Sequence, residues 1–226
     1  MKVLFEDNHI IAVYKPAGVL VQPDTGGGYS LMDDIKKYLK EKHKKEGNVF
    51  LGLVHRLDKN VSGIVLFGKT SKGASRLSEQ FRSREIKKIY TAVVEGEIKP
   101  ASGTLINYLR KDKDKRIALV SDSPKDGYDL SELSYKVIKL IAHCSLISIE
   151  LKTGRFHQIR TQLSHVGHPI VGDKKYGYKI RDTSYKLQDS GIALCATEVE
   201  FKTATTGEIK NIKIDYPKEW EEFLDG

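Results

Sequence analysis

The residue types best placed to do chemistry lie between residues 54 and 69, Val-His-Arg-Leu-Asp-Lys-Asn-Val-Ser-Gly-Ile-Val-Leu-Phe-Gly-Lys. Within it, His55, Arg56 and Asp58 stand about the apolar Val54 and Leu57, and Lys69 closes the stretch. The Asp-Lys-Asn-Val-Ser-Gly segment is rich in turn formers and leads into a β-branched apolar run. The spacing therefore predicts strand, turn, strand, with Asp58 at the mouth of a sheet, where a carboxylate can be held rigidly and still meet a ligand. An Asp ahead of Asn and Gly also caps its own turn as a matter of routine, and local sequence alone favours that second role. Chemistry at Asp58 needs company from elsewhere in the chain.

Residues 152 to 173 supply some. Ile159, Leu163 and Val166 form the apolar stripe of a short helix that Gly167 and Pro169 terminate. His157 and Arg160, three apart, share another face of it and can point together into a site. Tyr90 stands in the β-prone run Ile89 to Gly96, where a tyrosine also serves simply as an amphipathic sheet residue. Lys15 ends an apolar run that Pro16 and Gly18 stop, leaving a cation at a strand end.

Several chemistries are excluded. His157, His165 and His168 cluster within a few positions, but their spacing fits no zinc pattern and no metal is expected. There is no phosphate-binding glycine loop, no dinucleotide fingerprint and no nucleophile elbow. Glycoside hydrolysis uses two carboxylates, and Asp58 has no partner in a comparable setting. A single Asp acting at a glycosidic carbon, with no base to activate water, points to rearrangement.

The elements that must position these groups follow from pattern. Residues 2 to 6 and 9 to 15 read as strands about an Asp7-Asn8 break. Ser30 and Asp33 resemble a capping box, and Leu31, Ile35, Tyr38 and Leu39 recur at helical spacing. The other face of that helix carries Lys36, Lys37, Lys40, Lys42, Lys44 and Lys45, ordinarily a solvated face. Ser71 can cap a second helix with Ala74, Leu77 and Phe81 as its stripe, and Arg76, Arg82, Arg84, Lys87 and Lys88 gather at its end. Residues 103 to 120 read as strand, charged loop (Arg110 to Arg116) and strand, with a further loop over 121 to 131. Runs 133 to 142 and 145 to 151 look like an antiparallel pair, and 191 to 200 and 209 to 216 read as strands about a turn at Thr205 to Gly207. Trp220, Phe223 and Leu224 form a final amphipathic turn.

The 226 residues, 39% hydrophobic with six prolines, suit one large domain or two small lobes. No apolar run approaches the roughly 20 residues of a membrane span, and the early acids Glu6 and Asp7 do not suit a signal peptide, so a cytoplasmic protein is expected. Cys144 and Cys195 lie far apart in apolar contexts and read as buried free thiols. Lys and Arg number 38 against 30 Asp and Glu, a net charge of +8 that favours a polyanionic partner.

Four spaced motifs together resemble the RluA family of pseudouridine synthases. They are Tyr14-Lys15-Pro16-Ala17-Gly18, His55-Arg56-Leu57-Asp58-x-x-x-Ser62-Gly63, Lys88-Ile89-Tyr90-x-Ala92 and Gly154-Arg155-x-His157-Gln158-Ile159-Arg160. Gly172-Asp173-x-x-Tyr176-Gly177 agrees too, and the resemblance runs from about residue 4 to about 216. It implies an α+β fold with a mixed, largely antiparallel central sheet in two lobes, flanking helices and a cleft between them, all within one catalytic domain over 1–226. It implies isomerisation of uridine in ribosomal or transfer RNA by a monomer with neither cofactor nor metal.

By the same resemblance Asp58 matches the essential aspartate, acting as a nucleophile on the sugar or through a glycal, two routes that stay open. Tyr90 matches the tyrosine packed on the target base that helps remove the carbon-5 proton. Arg160 matches the basic residue that pairs with the aspartate, keeping it ionised. Arg56 matches the arginine that fills the space of the flipped base, and an Arg there recovers part of the extrusion cost by stacking and phosphate contact. His55, Arg155, Lys15 and Lys69 complete the candidate RNA side, with His157 and Gln158 bracing their helix more than touching the base. Val61 departs from the family, where Thr is common, so a hydroxyl contact is lost there. The sequence starts directly in the catalytic region, without the appended N-terminal RNA-binding domain of many relatives, so the basic face of that region is expected to select the target. The competing reading is an RNA-binding or RNA-folding protein that keeps the fold without catalysis, which would have no use for this acid, phenol and arginine.

Overall fold

A computed structural model of the chain describes residues 1–24, 26–44, 46–141, 143–177 and 191–220. The chain forms two compact units, Met1–Lys87 with Thr197–Ile214, and Lys88–Ala196 with Asp215–Gly226.

In the first unit, β1 (Lys2–Glu6) and β2 (Ile10–Lys15) make an antiparallel hairpin. Its turn is held by the Asp7 carboxylate, which accepts the His9 and Ile10 N–H groups at 2.7 and 2.6 Å. β2 pairs with β4 (Ser62–Gly68), which also carries the two-residue β3 (Gly52–Leu53). Every residue of β4 is buried, as its unbroken apolar run requires. The chain returns along β10 (Leu194–Lys202), whose residues from Glu198 on pair with β11 (Ile209–Lys213). Ile10, Ala12, Ile64, Leu66, Leu77, Val199 and Phe201 form the core of this unit.

Two helices flank it. In α1 (Leu31–Lys42) the Asp33 carboxylate accepts from both the backbone N–H and the hydroxyl of Ser30, while Leu31, Ile35 and Leu39 face inward. α2 (Ser71–Arg82) is capped by Thr70, one residue earlier than expected, whose hydroxyl oxygen accepts from Gly73 N at 3.1 Å. Glycine lets α2 approach this closely, since a Cβ at Gly73 would lie 2.1 Å from the His9 carbonyl oxygen.

The strand expected across the first half of residues 54–69 is replaced by irregular chain. β3 ends at Leu53, and residues 54 to 58 have no regular structure. The turn lies at Lys59 and Asn60, closed by Val61 N donating to the Asp58 carbonyl at 3.1 Å. Ser62 and Gly63, expected in the turn, already belong to β4, where Gly63 pairs with Lys15. The segment is fastened instead by the His55 side chain and by bonds to the following Lys59 carbonyl.

The second unit holds β5 (Lys87–Glu95), β6 (Ser102–Asp112), β7 (Ile117–Ser121), β8 (Asp129–Ile141) and β9 (Cys144–Leu151), in the order β5–β9–β8–β6–β7. All four pairings are antiparallel, which bears out the mixed, largely antiparallel α+β fold. The β6–β7 strands run further than expected and leave a loop of only Lys113 to Arg116, because charged residues stand comfortably on the solvated side of a hairpin. α3 (Gln158–His165) covers one face of this sheet. Gln162 fastens it, donating through Nε2 to the Leu105 carbonyl at 3.2 Å and to Asn107 Oδ1 at 2.9 Å. Trp220, in a short 3₁₀ turn (Lys218–Trp220), is buried and stacks on Tyr216. Phe223 and Leu224, expected in the same turn, and Lys45 on the lysine face lie outside the described residues. Cys195 is buried, while Cys144 is only half-buried. Among the described residues no helix is long and apolar enough to cross a membrane.

Candidate active-site residues

In the first unit, the loop carrying Asp58 is held through its backbone. Lys15 is fully buried, and its ammonium donates to the carbonyls of Pro16, Val19 and Lys59 at 3.0, 2.8 and 2.9 Å. Gly18 N donates to the same Lys59 carbonyl at 2.8 Å. One buried cation thus binds the Pro16–Val19 turn to the residue following Asp58. The RNA contact expected of Lys15 is replaced by this internal role, because the ammonium is out of reach of solvent and spent on three carbonyls.

His55 fastens the other side of the loop. Leu66 N donates to His55 Nε2 at 2.8 Å, which requires that nitrogen to be unprotonated. The ring also lies 4.6 Å from that of Phe81 on α2. Between these anchors Arg56 is exposed and Asp58 partly exposed. Val61 is buried, which suits valine where the family commonly has Thr.

Lys69 is likewise corrected from RNA contact to frame. Its ammonium pairs with Glu6 and donates to the Asp7 carbonyl at 2.7 Å, and its side chain is only 9% exposed. Glu6 is a hub that also accepts from Lys42, Tyr38 and His43. Burial alone would raise its carboxyl, but those donors outweigh it and bring the pKa down to about 2.

In the second unit, Arg160 is held through its side chain. Its Nε and Nη2 donate to the two oxygens of Asp173 at 2.7 and 2.8 Å, with the side chains 6% and 1% exposed. Asp173 Oδ1 also accepts from Lys175 N and Tyr176 N at 3.0 and 3.3 Å, so the turn after α3 is folded around the carboxylate. Asp173 was legible only as part of the Gly-Asp-x-x-Tyr-Gly motif, with no role attached.

His157 and Arg160 were expected on one helical face. Instead His157 precedes the helix with a left-handed backbone, φ +53°, and both side chains converge on Tyr176. His157 Nδ1 lies 2.7 Å from the Tyr176 hydroxyl, which also accepts from Ala118 N at 2.6 Å, and the Arg160 guanidinium sits over the Tyr176 ring. Burial is the main cause that raises the Tyr176 phenol above its usual range. Gln158 braces α3: its side chain accepts from Thr153 and Arg155 N and donates to the Glu132 carbonyl and Gln162. Arg155 is exposed, with Nε donating to the Leu130 carbonyl at 3.2 Å. Tyr90 is buried on β5, paired with Ile149, which pairs in turn with Tyr135 and that with Gly103. Paired residues share a face, and alternation puts Leu105 and Asn107 on it too, so Tyr90 lies on the face that α3 covers.

Comparison with known proteins identifies the family of this fold. The model of the RNA pseudouridylate synthase family matches residues 9–165, and the chain belongs to that family, as the resemblance to its RluA branch implied. The ribosomal large subunit pseudouridine synthase C of Buchnera aphidicola subsp. Acyrthosiphon pisum is 35% identical over 82% of this chain and 57% of its own length. The protein of the same name from Yersinia pestis is 32% identical over 93% of this chain and 64% of its own. The chain thus spans less than two thirds of the length of these relatives. Among solved structures, human RNA pseudouridylate synthase domain containing 4 superposes with a TM-score of 0.81 at 22% identity, over 99% of this chain and 92% of that one.

Proposed function

We propose that this protein is a monomeric, cytoplasmic RNA pseudouridine synthase that isomerises chosen uridines in ribosomal or transfer RNA without a cofactor. The N-glycosidic bond breaks, the base turns, carbon 5 joins the sugar and gives up its proton to solvent, and N1 takes up a proton in place of the broken bond. Asp58 acts at the sugar carbon, and Tyr90 helps remove the carbon-5 proton. Arg160, fixed by Asp173, supplies the guanidinium of the catalytic set. Arg56 takes the place of the extruded uridine, with Arg155 as a further RNA contact, and Lys15, Lys69, His55, His157 and Gln158 form the frame. The names of the Buchnera and Yersinia relatives favour RNA of the large ribosomal subunit as the target.

The observation that carries the reading is the fastening of the Asp58 loop. A turn cap needs no buried lysine on the next carbonyl and no histidine locked to a neighbouring strand, whereas a carboxylate that must meet one carbon atom does. The test is release of carbon-5 tritium from uridine-labelled ribosomal and transfer RNA. Turnover by the parent protein is expected, and none with either RNA would overturn the reading.

A further inference from the structure

Among the described residues, four other than glycine take a left-handed backbone: Lys44, Arg84, Arg116 and His157, at φ between +48° and +60°. All four have basic side chains, in a conformation that glycine or asparagine adopts with less strain. Arg84 is the clearest case. α2 ends with Glu85 N donating to the Gln80 carbonyl at 2.9 Å and Arg84 N to the Phe81 carbonyl at 3.4 Å. This is the paired-bond helix ending whose left-handed position ordinarily holds glycine. Complementing the helix dipole does not account for Arg84, since Arg82 already stands in the last turn, 2.9 Å from Glu79. The neighbouring acid, Glu85, pairs with Lys202. No carboxylate among the described residues pairs with Arg84, and its side chain is exposed.

The place of Arg84 gives that strain a use. The His55 ring lies against Phe81, and Val54 and Phe81 pack on the same core, so the loop bearing Arg56 and Asp58 is fastened to the last turn of α2. Arg82 and Arg84 follow Phe81 by one and three residues. Exposed Arg82 and Arg84 therefore stand at the end of the helix to which the loop bearing exposed Arg56 is fastened. Guanidinium forks match phosphate oxygens and stay charged at any working pH. We propose that these three arginines form a phosphate-binding track for the RNA strand flanking the target uridine, and that Arg84 keeps a strained backbone for the sake of that contact. The inference rests on the RNA-modifying function proposed above.

Binding of a short fluorescein-labelled, uridine-containing RNA hairpin, titrated over a range of salt, tests it alongside thermal unfolding. Arg84→Gly is expected to melt at a higher temperature than the parent yet bind RNA about five- to eightfold more weakly at ~0.1 M salt, with a salt slope lower by about one. Arg84→Lys should keep most of the affinity with no gain in melting temperature. Lys37→Gln, an equal loss of charge on the exposed face of α1, should leave affinity unchanged. The proposal is overturned if Arg84→Gly binds as tightly as the parent, or if Lys37→Gln weakens binding equally. A parent protein that binds no RNA would overturn the proposed function as well.

Discussion

The loop around Asp58 and the helix bearing Arg160 are fastened by different means. Residues 54 to 58 have no regular structure, and what holds the loop is a set of bonds at its two sides: Lys15 and Gly18 on the Lys59 carbonyl, and the His55 ring accepting from the Leu66 amide. Arg160 stands on a regular helix, and what holds it is another side chain, the carboxylate of Asp173. The Asp58 loop has no helix or ladder of its own, so bonds from neighbouring turns and strands hold it in place. A buried guanidinium has five donors to satisfy, and a carboxylate partner takes two of them while setting its plane.

Three substitutions press on that difference, from large effects to small. Asp173→Ala leaves a buried guanidinium without its ion pair, and unfolding in denaturant should show a loss of about 3–5 kcal/mol. An unchanged midpoint would mean that the ion pair does not hold α3. Lys15→Met keeps the aliphatic bulk but removes the donor to the Pro16 and Val19 carbonyls and one of the two donors to the Lys59 carbonyl, and should lose about 1–3 kcal/mol. If Lys15→Met were as stable as the parent, the Asp58 loop would not depend on its buried cation. Glu6 belongs to the same frame, and its effect is smaller and dependent on pH. Its folded pKa lies below the unfolded value, so its contribution is present above about pH 5 and fades as pH falls toward 2. Glu6→Gln should therefore cost about 1–2 kcal/mol at pH 7 and little at pH 2, as thermal unfolding at the two pH values would show. An equal loss at both would assign the effect to packing.

The same contrast explains what could be read from sequence. The strands β1, β2, β4, β5 and β9 and both long helices were legible because period and capping are local properties. Asp58, Arg56 and Tyr90 were legible as members of spaced motifs. The burial of Lys15 and Lys69 was not, since a lysine at a strand end looks the same whether it meets solvent or the carbonyls of its own turn and of a distant one. Nor did sequence locate the grip on Arg160, because Asp173 lies beyond the end of its helix and is brought back by a turn. His157 was misplaced on a helical face because its left-handed backbone, held by Tyr176 and Phe156, breaks the periodicity one residue before the helix starts. Arg84 was visible as one of a cluster of cations, but its strained backbone was not.

The central claim is that the pinned loop exists to present one carboxylate to a uridine. The most direct measurement is carbon-5 tritium release from uridine-labelled ribosomal RNA by the parent and by Asp58→Asn, which removes the charge and keeps the size. We expect Asp58→Asn to unfold at the parent temperature and to bind the RNA, while release falls by on the order of a thousandfold or more. Release by a folded Asp58→Asn protein at the parent rate would contradict the account.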